Sequence, residues 1–351
     1  VVDLCPVGAL LDKDFLFQQR VWFLKKTPSI DGITASGDNI SVEHNDGRVY
    51  RIKPRVNEAV NKWWITDEVR YGWKFVHSES RITMPAIKGK PAFDALKPME
   101  AWREATAAVE SAMKALTASK KNLALLVSPM LSCEDAYHLA RYALKVDPEA
   151  MLAIGPVPFL GEDKTFPGGF TIRAEKAPNA RGVRRVLEAL AGGKPVANAQ
   201  GFESALASGK FAAAIVTGNY PSDWVTPSLL KALSGLTTVV AIDMLANAVT
   251  AMASVVLPGA VWIEKAGSFE NANSRLQAFE KAIDPIEHAK SEAQIALNLL
   301  GARIGKPAAD YCPATTRSEM SKVAGLDSMS NALHAPEHSE TVESDMQMVE
   351  L

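Results

Sequence analysis

The residues able to carry chemistry are few, and the sharpest signal stands near the start: Cys5 is followed at once by Pro6 and then by Val7-Gly8-Ala9-Leu10. A cysteine ahead of proline recurs in ferredoxin-type iron–sulfur ligation, where it is the last thiolate of a set. The competing reading is a cysteine packed as a small hydrophobe. A four-iron cluster takes about four thiolates. Cys133 and Cys312 lie far along the chain in differently patterned regions, so this chain cannot complete such a cluster alone.

Cys133 follows Ser132, a good helix N-cap, and a helix N-terminus can lower a thiol pKa, which makes a nucleophile conceivable there. His334 and His338 share a helical spacing, but they flank Ala335-Pro336-Glu337 with no further ligand close by, so a solvated tail is the better reading. No G-x-G-x-x-G, Walker A or G-x-S-x-G pattern occurs; Gly168-Gly169 and Gly192-Gly193 read as turns, and nicotinamide binding is disfavoured.

The 351 residues, 47 % of them hydrophobic, suffice for about two domains. With 38 Lys and Arg against 40 Asp and Glu, and no concentrated basic stripe, nucleic acid is excluded as a partner class. The apolar runs, such as Phe211 to Val216, are far shorter than the roughly 20 residues a membrane helix needs, so membrane association must go through partner proteins. Three scattered cysteines suggest a reducing cytoplasm rather than a disulfide framework. The start Val1-Val2-Asp3 lacks Met and any secretory pattern, and reads as a truncation.

Four regions position these residues. Residues 1–26 join the Cys-Pro turn to an aromatic stretch, Phe15-Leu16-Phe17 and Val21-Trp22-Phe23, too short to bury its own apolar surface and expected to dock elsewhere. Residues 27–88 predict a small β-rich domain: Asn39 to His44 and Arg48 to Ile52 alternate with period two around the turn Asn45-Asp46-Gly47. Residues 89–323 predict an α/β domain, with a helix through Trp102, Ala105, Val109, Met113 and Leu116 and one from Ser132 to Val146. Strands are expected at Asn122–Val127, Met151–Ile154, Ala212–Thr217, Thr237–Ile242 and Ser254–Leu257, and helices near Arg181–Leu190, Thr226–Leu233 and Ala289–Leu300. Apolar strands alternating with helices predict a doubly wound parallel sheet. Residues 324–351, rich in Ser, Glu, Asp and Met, predict a mobile acidic tail.

By physical pattern alone, Ser254-Val255-Val256-Leu257-Pro258, Glu264-Lys265-Ala266-Gly267-Ser268-Phe269 and Asn273-Ser274-Arg275-Leu276-Gln277 form a strand leading into a long ordered loop. The segment resembles the molybdopterin oxidoreductase superfamily, whose members carry V-L-P, then E-K-x-G-[ST]-F-x-N, then R-x-Q. Asp3-Leu4-Cys5-Pro6-Val7-Gly8-Ala9-Leu10, Ser29-Ile30-Asp31, Gly37-Asp38-Asn39-Ile40, Arg51-Ile52-Lys53-Pro54-Arg55, Trp64-Ile65-Thr66-Asp67 and Arg81-Ile82-Thr83 resemble the large iron–sulfur subunit of complex I. The resemblance runs from Asp3 to about Leu300 and presents the chain as a C-terminal fragment of that subunit, with residues 1–26 as the end of a ferredoxin-like iron–sulfur cluster domain.

The resemblance implies that Cys5 is the last ligand of a [4Fe-4S] cluster whose other thiolates lie upstream, with the apolar flank Val7, Ala9 and Leu10 shielding it. Catalytic members of the superfamily carry a C-x-x-C-x-x-x-C set where this chain reads Thr27-Pro28-Ser29-Ile30-Asp31-Gly32-Ile33-Thr34. They also offer a metal ligand where it reads Gly155-Pro156-Val157-Pro158-Phe159-Leu160-Gly161. Both redox sites of the pterin enzymes are therefore expected to be lost, and molybdopterin to be absent. The implied role is an electron relay and scaffold within NADH:quinone oxidoreductase, with no catalytic site of its own. Its implied partners are the flavin and iron–sulfur subunits, in the cytoplasmic peripheral arm of a bacterial inner-membrane complex. The alternative is a Mo/W-pterin oxidoreductase such as a formate dehydrogenase relative.

Overall fold

A three-stranded antiparallel sheet forms first. The computed structural model describes Val2, Cys5, Val7, residues 9–94 and residues 96–331. Strands β1 (Lys25–Ile30), β2 (Asn39–Asn45) and β3 (Arg48–Pro54) pair in that order. The expected hairpin is present: Asp46 and Gly47 both take positive φ, 47° and 74°, which matches the right-handed twist of the flanking strands. Pro28 is tolerated because β1 is an edge strand. Helix α1 (Asp67–Tyr71) closes the unit, its first turn capped by the Thr66 hydroxyl accepting from the Val69 amide.

This small unit has no private core. Ile30, Ile40, Val42, Ile52 and Val69 pack in one cluster with Val261, Trp262, Phe269 and Phe279 from the far end of the chain. Strand β4 (Ala86–Ile87) already belongs to the large sheet, antiparallel to the strand beside it.

Helix α2 (Pro98–Ser119) has proline in its first turn, where the missing N–H is harmless. It buries Trp102, Ala105, Val109, Met113 and Leu116, the predicted stripe. Then follow β5 (Asn122–Val127), α3 (Cys133–Val146), β6 (Met151–Ile154), a short arm of β7 (Lys164–Thr165) and β8 (Thr171–Ile172), α4 (Ala180–Leu190), α5 (Ala199–Leu206), β9 (Phe211–Thr217), α6 (Pro227–Ser234), β10 (Thr238–Asp243), α7 (Ala248–Met252) and β11 (Val255–Pro258). The order across the sheet is β4-β11-β10-β9-β5-β6, with all but β4 parallel.

Alternate strand residues serve opposite layers, as a doubly wound sheet requires. Leu123, Leu125, Ile215 and Ile242 face Val109, Leu139, Val186 and Ile295, whereas Leu126, Val216 and Ala241 face Phe202, Leu229 and Val249. The chain leaves β5 toward β6 on one side and returns to β9 on the other. The carboxyl ends of β5 and β9 thus mark the switch point where open α/β sheets form a crevice.

The segment read as a long loop is instead a 3₁₀ turn (Trp262–Glu264) and a hairpin, β12 (Gly267–Glu270) with β13 (Leu276–Phe279). Helices α8 (Glu292–Ile304), α9 (Pro313–Met320) and α10 (Ser328–Asn331) complete the described fold. The start of a mobile tail at Ala324 is corrected in part: Leu326 and Met329 are fully buried in the main core, because the chain there packs beside α4, whose Arg185 donates to the Ser328 hydroxyl. His334, His338 and the remaining tail lie outside the described residues, as do Asp3, Leu4, Pro6 and Gly8.

Candidate functional site

Charged side chains gather at the switch point, and each finds its partner inside the protein. Lys265 is buried between Asp135, 2.8 Å away, and Glu292, which also accepts from the Asn219 amide group. Burial opposes the charge on Lys265, but the two carboxylates overcome it and hold the ammonium above its ordinary value. One lysine cannot neutralise two buried carboxylates; burial, with the nearby charge of Asp135, pushes Glu292 up to about 7 against the pull of Lys265. Asp135 also accepts from the Ser132 amide and hydroxyl and from the Ala293 amide, so the triad ties the starts of α3 and α8 together.

The strand ends themselves are filled. The Thr217 hydroxyl accepts from the Ser128 amide at 2.8 Å across β5 and β9. Asp243 accepts from the Asn219 and Met244 amides and from the Asn247 side chain, and burial raises its pKa. Gly218 is required beside it, since a Cβ there would lie 1.8 Å from the Asp243 carboxylate.

The E-K-A-G-S-F segment is explained residue by residue as a joint between layers. Glu264 receives two bonds from Arg81, at 3.1 and 2.7 Å, and one each from the Val261 and Ile286 amides; both side chains are 1 % exposed. Gly267 lets β12 approach Ser132, whose Cβ would be 2.7 Å from any added Cβ. Ser268 donates twice to Glu134, which Arg317 neutralises at 2.9 Å. Phe269 packs on Phe279 with ring centroids 4.4 Å apart. Asn271 gathers the Asn273 and Arg275 amides and donates to the Ser36 carbonyl.

The three thiols stand in three different places. Cys133 is fully buried beside Asn179, and burial, then the Glu134 charge, pushes its thiol up to about 12. Helix position alone suggested an activated nucleophile; desolvation outweighs the macrodipole and keeps it protonated. Cys312 is exposed at the start of α9, its thiol held below the usual value by the Thr315 hydroxyl. Among the described residues, no group of three or more His, Cys, Asp or Glu is placed to hold a metal.

Cys5 is half-buried, its thiol donating to the Val7 carbonyl at 3.2 Å. It lines a cavity of about 1320 Å³ between the N-terminal segment and the small sheet, with Leu11, Phe15, Val21, Trp63 and Trp64 on the walls. Val7, Ala9 and Leu10 are exposed, so the shielding flank expected around Cys5 is not closed by this chain.

The loop where the catalytic pterin enzymes carry cysteines is closed by a carboxylate. Asp31 accepts from the Ile33 and Thr34 amides and from the Thr34 hydroxyl, and burial pushes it up to about 6. The segment Gly155 to Gly161 offers Phe159 and Leu160 to solvent and feeds the β7–β8 arm.

Residues 24–74 match the family described as NADH-ubiquinone oxidoreductase NDSU1/NuoG-like, 4Fe-4S domain, and residues 192–302 match the molybdopterin oxidoreductase family. Among relatives, the mitochondrial NADH-ubiquinone oxidoreductase 78 kDa subunit of Candida albicans is 32 % identical over 42 % of this chain and 20 % of its own length. The mitochondrial NADH dehydrogenase [ubiquinone] iron-sulfur protein 1 of Solanum tuberosum is 40 % identical over 32 % of this chain and 15 % of its own. A bacterial NADH-quinone oxidoreductase subunit, from Rickettsia felis, is 34 % identical over 40 % and 20 %. Parts of the chain are thus similar to large iron–sulfur subunits of complex I. The matches span about a fifth or less of those relatives' own lengths. Acetylene hydratase from Pelobacter acetylenicus aligns at 19 % identity over 38 % of this chain and 19 % of its own, with a TM-score of 0.28, too low to carry weight.

Two cofactors are implied by these families, and the residues suit them differently. The complex I-like segment 24–74 contains no cysteine, so a four-iron cluster does not fit within it. The Cys5 thiol on its cavity wall fits as one ligand of a cluster completed by other thiolates. At the switch point, where the superfamily resemblance would place a pterin, the charged groups are paired with one another, Lys265 with Asp135 and Glu292 and Arg81 with Glu264.

Proposed function

We propose that this chain is part of an electron-relay and scaffold subunit of an NADH:quinone oxidoreductase, which passes single electrons through iron–sulfur clusters from the flavin side toward quinone. The observation that carries this reading is the placement of Cys5: a half-buried thiol on the wall of a large cavity, in a chain similar to complex I iron–sulfur subunits. In it, Cys5 contributes one thiolate and the remaining ligands come from outside the described residues. When bound, the cluster supplies one-electron redox chemistry, and the chain's own Cys5 holds one ligand position.

The α/β body serves as the scaffold. Its paired charges at the switch point favour a structural role over a pterin site, and a Mo/W enzyme is the weaker reading for that reason. The partners are the flavin and iron–sulfur subunits of the parent complex, and the setting is the cytoplasmic peripheral arm of a bacterial membrane complex. No described helix is long and apolar enough to cross a membrane.

The test uses the full-length protein in its complex. Cys5→Ala is expected to remove or alter one four-iron signal in electron paramagnetic resonance, while Cys133→Ala and Cys312→Ala leave the signals unchanged. Unaltered spectra for Cys5→Ala, or stoichiometric molybdenum or tungsten assigned to this subunit, would overturn the reading.

A further inference from the structure

Two short motifs, Ser29-Ile30-Asp31 and Gly37-Asp38-Asn39, have no part in ligating a cluster, and the fold brings them together. In the ladder between β1 and β2, Ser29 stands opposite Ile40 and Ile30 opposite Asn39. One step further the Asp31 amide donates to the Asp38 carbonyl at 2.8 Å, so the two aspartates face each other across the strand ends. Residues opposite one another share a face of the sheet, where like charges destabilise the pair. Asp31 and Asp38 are 0 % and 2 % exposed, so water does little to screen them.

The two carboxyls are served unequally. Asp31 Oδ1 accepts from the Ile33 amide at 2.8 Å and the Thr34 amide at 3.2 Å, and its Oδ2 accepts from the Thr34 amide and hydroxyl. That setting suits an ionised carboxylate. Asp38 Oδ2 is buried with no hydrogen-bond partner among the described residues. Gln277 Oε1, 2.7 Å from where a Cβ on Gly37 would stand, is in the same condition and can only accept. A proton on Asp38 turns an acceptor without a donor into a donor among acceptors.

The charges packed around the pair are committed elsewhere. Glu68 on α1 adds a further negative charge and is held by Lys176 at 2.6 Å. Arg173 offsets part of the Asp38 charge, but its guanidinium bonds Asp163 at 2.7 Å and Asn273 at 2.8 Å. Arg55 bonds the Asn39 side chain, Arg275 beside Gln277 has a partner of its own, and Glu175 is taken by Arg181. Burial, then the facing Asp31 charge, holds Asp38 well above the ordinary carboxylate range. A bridging metal ion would need free oxygens on both residues, and those of Asp31 are filled by donors.

We propose that Asp31 and Asp38 hold a single proton, carried by Asp38, and that this proton latches the 31–38 loop into the joint between the small unit and the α/β body. At that joint the Ala35 amide donates to the Glu175 carbonyl at 3.1 Å, the Ala272 amide to the Ala35 carbonyl at 2.8 Å and the Asn271 side chain to the Ser36 carbonyl at 3.0 Å. When Asp38 releases its proton to solvent, two facing carboxylates remain and the loop loosens. The closed pair binds a proton that the opened loop gives up, so the joint weakens as pH rises toward the point where Asp38 ionises and is constant beyond it. None of this depends on the role of Cys5.

The test is an NMR titration of the full chain, isotope-labelled at the aspartate carboxyl carbons, with hydrogen exchange of the Ala35 and Ala272 amides followed alongside. Near neutral pH one aspartate is expected at the protonated chemical shift, and Asp38→Asn should remove that resonance. Above about pH 6, the value to which Asp31 is raised, protection of both amides relative to intrinsic exchange should keep falling, by up to about tenfold per pH unit, until Asp38 ionises. In Asp38→Asn, which keeps the shape without the charge, protection should stay level over that range. If this variant does not fold, the wild-type titration still decides, since finding every aspartate ionised near neutral pH overturns the proposal. Ionised aspartates with amides that gain protection on adding calcium or magnesium would put a cation in place of the proton and overturn it as well. A protonated Asp38 with level amide protection in the wild type overturns the latch.

Discussion

At the carboxyl ends of the central strands, charged residues lie buried and answer one another; on the N-terminal wall, aromatic residues lie in solvent with little of this chain against them. Arg81, Glu264, Lys265 and Glu292 are all but inaccessible, whereas Phe17 is 96 % and Trp22 74 % exposed. The usual distribution of polar and apolar residues is inverted in both places. The difference shows where the molecule is finished and where it is not. A buried ion pair is stable only with its partner in place, and an exposed aromatic cluster leaves apolar surface in water.

Removing one partner from the finished region should have the largest effect. Arg81→Ala leaves the Glu264 carboxylate buried without a counter-charge, and is expected to lower stability by about 3–5 kcal/mol in urea denaturation. Replacing both, Arg81→Met with Glu264→Leu, should recover only part of that loss, because the Val261 and Ile286 amides then lose their acceptor. A loss under about 1 kcal/mol for Arg81→Ala would mean that water reaches Glu264 and that the contrast between the two regions is weaker than drawn.

A smaller effect should appear with pH. Glu292 is raised in the fold from an ordinary 4.5 to about 7, so between those values the folded state binds more protons than the unfolded one. Its contribution is therefore fully present below about pH 4.5 and is lost as pH rises through about 7. Asp31, raised to about 6, acts with the same sign. Glu292→Gln should flatten the fall in urea midpoint between about pH 5 and pH 8; an unchanged slope would assign it to other groups.

The smallest effect belongs to the unfinished region. Phe17→Ser should change the stability of the isolated chain by no more than about 0.5 kcal/mol, because the ring has almost no contacts to lose. A loss above about 1 kcal/mol would show that the wall packs on its own chain.

Much of the sheet is legible in the sequence. Asn122–Val127 and Ala212–Thr217 are apolar runs of strand length, and Trp102 through Leu116 recurs at helical spacing, because burial on both faces of a strand or on one face of a helix writes itself into local pattern. The elements that escape this reading are those whose partners are distant. Strand β1 begins Lys25-Lys26-Thr27-Pro28 and looks like a loop until β2 pairs with it. Hairpin β12–β13 carries Gly267, Ser268 and Glu270 into the interior, polar residues that no periodicity marks as buried, because Glu134 and Arg185 receive them.

The candidate site divides in the same way. Cys5-Pro6 and the E-K-A-G-S-F segment are visible as motifs, since each is a short run of unusual residue types. That Cys133 is inert and that Lys265 binds Asp135 and Glu292 are not visible, because each depends on residues far apart in sequence. The sequence by itself determined the long apolar strands and amphipathic helices of the α/β body and which cysteine stands in a ligand motif, through short-range periodicity and residue type. The tertiary structure decided which charges are neutralised, which thiol is desolvated and which apolar surface stays open. Burial and electrostatic pairing are properties of neighbours in space, and the chain brings those neighbours together only when it folds.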